Sequence, residues 1–360
     1  MDKMIWKPNL DEVVERYMAL WAGKFNDQII VIMEPNVTAI EDHESWQYKF
    51  EYDFLKVCPD IPAMFESNES LLRFRSQIQD DFIPTAWVTY GGTAGGAFWG
   101  SEMKFYASGG YSPPFIKSWD QLDSLKFDPD WKWNMELRNA CEYFAEHASG
   151  RFGVAIMEIS NDLNLLHNLR GSQFLYDIYD HREEVERLMD MCVDFNVKWV
   201  KMQRDALGEA NTYRGGRFDF WGLWLPGDTV FLDVDAYTLC SPKILEWGRP
   251  YIQKFIDRMG SGWLHNHAVG LRLLPGVMKL ERLIGMEFCD DPGEPKLFTR
   301  MHEITEITGD MPIMIDIDFD IFLSALREHR LKGGAIYWVR EVPSIELANE
   351  IMKEVRKYRA

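Results

Sequence analysis

The sequence predicts an α/β fold, a (β/α)8 TIM barrel with helical N-terminal elaborations, and three observations carry that reading. Eight short runs rich in β-branched and aromatic residues recur along the 360 residues, at 29–33, 86–90, 152–158, 229–234, 262–265, 285–289, 312–317 and 334–339. Amphipathic segments of helical period separate the later runs, at 241–259, 273–283, 296–308, 319–331 and 345–358. Strands that alternate with helices are parallel and joined by crossovers, and eight such units can close a barrel. No linker, low-complexity tract or internal repeat divides the chain. Residues 1–360 therefore read as one domain, with 1–84 supplying the N-terminal helical segment and first strand and 85–360 the remainder.

Taken in order, the first 21 residues form an amphipathic helix pattern that carries acids and has no signal-type apolar core. About fifty residues separate the first two strands and about sixty the second and third. These insertions hold helix-like pieces at 46–57 and 135–148 and a turn-rich stretch at 91–97. That stretch lacks the Lys-Ser/Thr of a phosphate-binding loop and does not match G-x-G-x-x-G. In the helix at 180–203, Glu183, Glu184, Glu186 and Arg187 make a solvated face opposite Val185, Leu188, Met189 and Val193. Tyr213-Arg214-Gly215-Gly216-Arg217 reads as a short basic surface turn. Ser241-Pro242 and Pro343-Ser344-Ile345 are helix entries, with serine before the first turn.

Composition narrows the function. Apolar residues are 46% and charged residues 27%, a globular mixture. The 14 Trp, 14 Tyr and 22 Phe suit core, subunit contacts or pockets for flat ligands. The formal charge, 39 − 57 = −18, argues against a nucleic-acid partner, because no basic track exists to displace counterions from phosphates. Five scattered cysteines without a CxxC pair suit reduced thiols in a cytoplasmic protein. No apolar run approaches the ~20 residues that span a bilayer.

In a barrel the active site lies at the C-terminal ends of the strands. Carboxylates stand at nearly all of them: Glu34, Glu158, Asp233 with Asp235, Asp290 with Asp291, and Asp316 with Asp318 and Asp320. Asn161 follows the third strand, Tyr237 the fourth, and Trp338 and Arg340 end the eighth. Converging carboxylates would repel one another and raise some pKa values, which suits acid–base work, although helix N-caps account for some of them. Asp235, Asp290 and Asp316 are expected to point inward, whereas Asp318 and Asp320 look like caps. The fifth strand ends in His265-Asn266-His267, whose i, i+2 spacing puts both imidazoles on one side, as a metal or proton-transfer site requires. Two structural histidines bonded to nearby backbone remain the alternative.

The order of these features resembles the uroporphyrinogen decarboxylase-like superfamily. Residues 84–130 read P…W…G…G…A…FWGSEMKFY…PPFIKSWDQLDSLKFDPD, similar to a stretch of that family. Leu169-Arg170-Gly171-Ser172-Gln173-Phe174 before Arg182-Glu183-Glu184-Val185, then Asp235, Ser241-Pro242 and Pro250-Tyr251, follow in the family's order. Residues 264–270 match the position of its H-x-C-G motif, and Gly333-Gly334-Ala335-Ile336 with Pro343 and Asn349 match its closing pattern. The resemblance implies a (β/α)8 barrel with one of two activities: cofactor-free decarboxylation of a tetrapyrrole, or methyl transfer from a corrinoid to a zinc-activated thiol. Around Met33-Glu34-Pro35-Asn36 the arginines of the decarboxylases are missing, and the charge of −18 disfavours a polycarboxylate guest. Against the methyltransferases, His265 and His267 replace the His and Cys ligands, and no cysteine stands near Val339.

The leading expectation is a methyltransferase-type enzyme acting on a small substrate or a corrinoid-bound methyl group. In it His265 and His267 hold a divalent metal such as zinc with one aspartate, Asp290 or alternatively Asp235 or Asp316. Asp235, His265, His267 and Asp316 are the candidate catalytic residues, and Glu34, Asn161, Tyr237, Trp338 and Arg340 the candidate substrate contacts. A corrinoid protein as partner and a homodimer are further expectations from the resemblance. The alternatives are a metal-free decarboxylase-type lyase using Asp/His acid–base chemistry, a glycosidase barrel with paired carboxylates, and a non-enzymatic corrinoid- or tetrapyrrole-binding protein.

Overall fold

A computed structural model of the chain describes residues 4–35, 54–157 and 162–360. Eight parallel strands lie close to the predicted runs: β1 Ile29–Pro35, β2 Thr85–Trp87, β3 Gly153–Ala155, β4 Val230–Asp233, β5 Gly262–His267, β6 Leu283–Cys289, β7 Ile313–Asp318 and β8 Ala335–Val342. Six of them form one sheet in the order β1-β8-β7-β6-β5-β4, and β2 pairs with β3 apart from it. The fold is α/β with parallel strands, as expected. A continuous ring of eight hydrogen-bonded strands is not formed among the described residues.

The reason is chemical at both breaks. Beside β1, the amides of Val31 and Met33 donate to the carboxylates of Asp81 and Asp80 at 2.9 and 2.8 Å, so side chains take bonds that a neighbouring strand would make. Beside β3, the Asn211 amide donates to the Val154 carbonyl at 2.7 Å. Gly153 there lies against the Phe218 ring, which belongs to an antiparallel three-stranded unit of Thr212–Tyr213, Gly216–Phe218 and Trp224–Pro226.

That antiparallel unit begins at the stretch read as a basic turn. Arg214 and Gly215 both have positive φ, 48° and 79°, and link two strands by two residues, the geometry of a tight hairpin. The expected helix at 273–283 also differs. Only Leu274–Val277 is α-helical, and Leu283 already belongs to β6. Met278 to Arg282 are good helix formers, but the chain tightens into a turn after Val277 and Arg282 adopts a positive φ of 59° on entering β6, so local propensity is overridden.

Side-chain alternation gives the six-stranded sheet two faces. On one, Val31, Met33, Leu264, Phe288, Ile315 and Val339 pack in the larger core, beneath the long helices Arg182–Leu207 and Pro242–Met259. On the other, Ile30, Ile32, Trp263, Met314 and Ile336 join a second core with the helix Leu10–Trp21 and the antiparallel unit. Trp21 donates to the Trp224 carbonyl at 2.7 Å and meets Trp263 edge-on at 5.4 Å. Gly285 makes room for that contact, since a Cβ there would lie 2.7 Å from the Trp263 ring. Further along each strand this second face turns polar, and there the candidate site lies. No described helix is long and apolar enough to cross a membrane.

Candidate functional site

Register builds the site. His265 lies level with Glu287 and with Asp233, and His267 with Cys289, so these side chains leave neighbouring strands on the same face. His265 Nδ1 bonds a Glu287 carboxylate oxygen in a short contact. His267 Nδ1 bonds Asp291 at 2.8 Å, and the other Asp291 oxygen accepts from the Val269 amide at 2.9 Å. The two Nε2 atoms face each other at 2.9 Å, and Asp235 reaches the His267 Nε2 at 3.5 Å.

This arrangement has a definite charge requirement. Each Nδ1 faces a carboxylate and must carry a hydrogen, so each Nε2 of a neutral ring presents a lone pair. Two lone pairs cannot sit 2.9 Å apart unless a cation lies between them, either one proton or a metal ion. The electrostatics agree. The Asp235 carboxylate first, then Asp291, push the His267 pKa up to about 9 against the effect of burial. Burial pulls His265 down, but the Glu287 hydrogen bond and the charges of Glu287, Asp235 and Asp233 leave it above its ordinary value. Cys289 donates to Glu287 at 2.6 Å, and burial with that charge holds it as a neutral thiol.

Among the described residues, two sets of ligand atoms lie within 4.8 Å of one another: Asp235, His265 and His267, and His265, Glu287 and Cys289. The first joins two imidazoles to a carboxylate, a donor set that fits zinc or a neighbouring divalent ion. The Asp235 oxygen that approaches His267 is the one placed for a ligand bond.

A second cluster stands along the same rim. Arg340 spans Glu34, in a short contact, and Asp316 at 2.9 and 3.0 Å, while the Trp338 indole also donates to Glu34. Burial pushes Asp316 up to about 6, even against the lowering effect of Arg340.

Beside the histidines a cavity of about 440 Å³ opens, walled by Trp87, Phe220, Phe231, Asp233, Asp235 and His265 among others. Gly92 and Thr93, from the turn-rich stretch, line it too. A more apolar cavity of about 270 Å³, reached by Glu34 and Trp338, lies behind the stacked pair Trp87–Phe220, whose centroids are 4.7 Å apart.

The structure thus brings Asp235, His265 and His267 together, and Glu34, Asp316, Trp338 and Arg340 into the adjoining cluster. Two expectations are corrected. Asp290 does not complete the histidine set: it accepts from the Leu297 amide at 2.8 Å and pairs with Lys296 at 3.1 Å, while the adjacent Asp291 points to His267. Tyr237 lines neither cavity. Its ring is fully buried against Gly248 of the helix Pro242–Met259. Asp318 sits at the N-cap position of the helix Phe319–Arg327 without a side-chain cap bond and lies 3.7 Å from Lys296. Asn161 lies outside the described residues. The sequence reading passes over Glu287, although a carboxylate two residues before Cys289 inside an apolar strand is the signal that marks it.

No family model matches the sequence, and no curated protein sequence matches it. The fold is similar to that of a methyltransferase from Methanosarcina mazei, with a TM-score of 0.61 at 12% identity over 99% of each chain. At that identity the likeness speaks for the fold.

Proposed function

We propose that this chain is a methyltransferase-type enzyme of the uroporphyrinogen decarboxylase-like superfamily, built on a (β/α)8 barrel and acting on a small substrate in the larger cavity. Asp235, His265 and His267 would hold a divalent metal there, zinc foremost. Bound at this point, the metal lowers the pKa of a coordinated thiol or water and readies it as a nucleophile. Glu287 and Asp291 hold the two imidazoles by Nδ1 and leave the Nε2 atoms facing each other, as carboxylates behind metal-bound histidines commonly do. Phe231 and Trp221, packed on the His265 ring at 5.9 and 5.8 Å, exclude water from one side.

The observation that carries the reading is the convergence of Asp235, His265 and His267, whose ligand atoms lie within 4.8 Å of one another. The order of the sequence landmarks and the fold likeness support the superfamily. The test is metal content by mass spectrometry. Wild-type protein is expected to hold about one divalent ion per chain, and His267→Ala to lose both the ion and activity while keeping its fold by circular dichroism. A fully active His267→Ala protein sinks the proposal.

One observation favours a second reading, the metal-free lyase. Glu287, His265, His267 and Asp291 form an unbroken hydrogen-bonded chain able to pass a proton. Activity that survives complete metal removal selects it.

A further inference from the structure

The larger cavity has a chemistry of its own. Among the described residues no lysine or arginine lines it, and its charged walls are Asp233 and Asp235. A free anionic ligand would meet the repulsion of both carboxylates there. Even with a divalent ion on the histidines, the four carboxylates of Asp233, Asp235, Glu287 and Asp291 outweigh it. The guest is therefore neutral or cationic, and the acidic protein favours the cation.

The apolar walls decide which cation. Phe220 and Phe231 meet at 65° with centroids 5.6 Å apart, making an aromatic corner, and Trp87 stacks behind Phe220 at 18°. A simple ammonium or metal ion would lose its water to surfaces that return no hydrogen bonds. A methylated ammonium spreads its charge over methyl groups, loses little hydration, and is held by the negative faces of aromatic rings.

Asn164 is more than nine-tenths buried, and its Oδ1 is held by the Ala236 amide at 2.5 Å. That contact fixes the side chain as a rigid part of the cavity wall.

We infer that this cavity takes a small methylated ammonium cation, as the substrate class of the enzyme proposed above. The inference rests on that reading for the word substrate, and on the walls alone for binding. Isothermal titration calorimetry of the purified protein with choline and with its neutral isostere 3,3-dimethylbutan-1-ol tests it. Choline is expected to bind about tenfold or more tightly than the isostere, whose shape is the same and whose charge is gone. Phe231→Leu and Asp233→Asn are each expected to weaken choline about fivefold and leave the isostere unchanged. Equal binding of the two ligands, or no choline binding in the millimolar range, overturns the inference. The wild-type comparison stands even where a variant fails to fold. Metal content separates the two claims: metal without choline binding rejects this inference alone, and choline binding without metal rejects the metal-dependent mechanism alone.

Discussion

Glu287 controls the histidine pair from behind. Its carboxylate accepts from His265 on one oxygen and from Cys289 on the other, and the residue is almost fully buried. Replacing it with glutamine keeps the volume and removes the charge that orients the imidazole. Glu287→Gln is expected to weaken metal affinity about 10–100-fold with little change in melting temperature. Competition with a chelating dye measures this, and unchanged affinity would show that Glu287 is merely structural. Asp219 gives a separate prediction. One of its oxygens accepts from the Trp221 amide at 2.8 Å, and the other is buried without a partner among the described residues. Burial, then the Glu287 charge, push its pKa up to about 7. The unfolded chain ionises near the ordinary value of 3.8, so stability is full below pH about 4 and falls as pH rises towards 7. The loss is capped at about 4 kcal/mol. Asp219→Asn keeps the acceptor and removes the proton. It should raise the melting temperature more at pH 8 than at pH 4, and equal shifts at both would refute the assignment. At this scale the sequence shows residue types at strand ends but not which oxygen reaches which nitrogen. Asp290 and Asp291 are adjacent and both acidic, and only the path of the chain after β6 sends one to Lys296 and the other to His267.

Elements explain why much of the fold was legible and part was not. The eight strand runs are apolar enough to be read one at a time, because each is buried on both faces along much of its length. The antiparallel unit was not legible. Its strands are two or three residues long, and its signal is the Arg214-Gly215 turn rather than any periodicity. Tyr237 shows the same limit in reverse: a polar aromatic after β4 suggests a pocket residue, but its hydroxyl end lies against a helix. That packing predicts a further outcome. A Cβ at Gly248 would fall 2.1 Å from the Tyr237 hydroxyl oxygen, so the glycine is what lets the helix Pro242–Met259 settle on this ring. Gly248→Ala is expected to destabilise the protein by about 1–3 kcal/mol despite the better helix propensity of alanine. Urea unfolding would show it, and a stabilised Gly248→Ala variant would mean that the ring moves aside freely.

The whole molecule depends on a buried charge cluster far from the histidines. Asp80 and Asp81 occupy the break beside β1, and their carboxylates face cations from four separate stretches of chain. Asp81 meets Arg16 at 3.0 Å and Arg356 at 2.7 Å, and Asp80 meets Arg75 at 2.9 Å with Lys7 at 3.9 Å. The cluster ties the helix Leu10–Trp21, the helix Ile61–Arg75 and the C-terminus to one strand, and it substitutes for strand pairing at that point. Such a pair adds little over an apolar replacement but is costly to break, since removing one partner strands buried opposite charges. Burial alone would raise the Asp81 pKa, yet Arg16 and Arg356 with the Val31 amide hold it below the ordinary carboxylate value. A depressed folded pKa contributes stability that is present above pH about 4 and is lost as pH falls through the folded value. Asp81→Ala should therefore cost about 3–5 kcal/mol at pH 7, leaving Arg16, Arg356 and the Val31 amide without their acceptor. The deficit should shrink as pH falls below 4, because the wild-type carboxylate is then being protonated as well. Paired denaturant titrations at pH 7 and pH 3 measure the two deficits. An equal loss at both would show that packing, rather than this charge, joins the ends of the chain to β1.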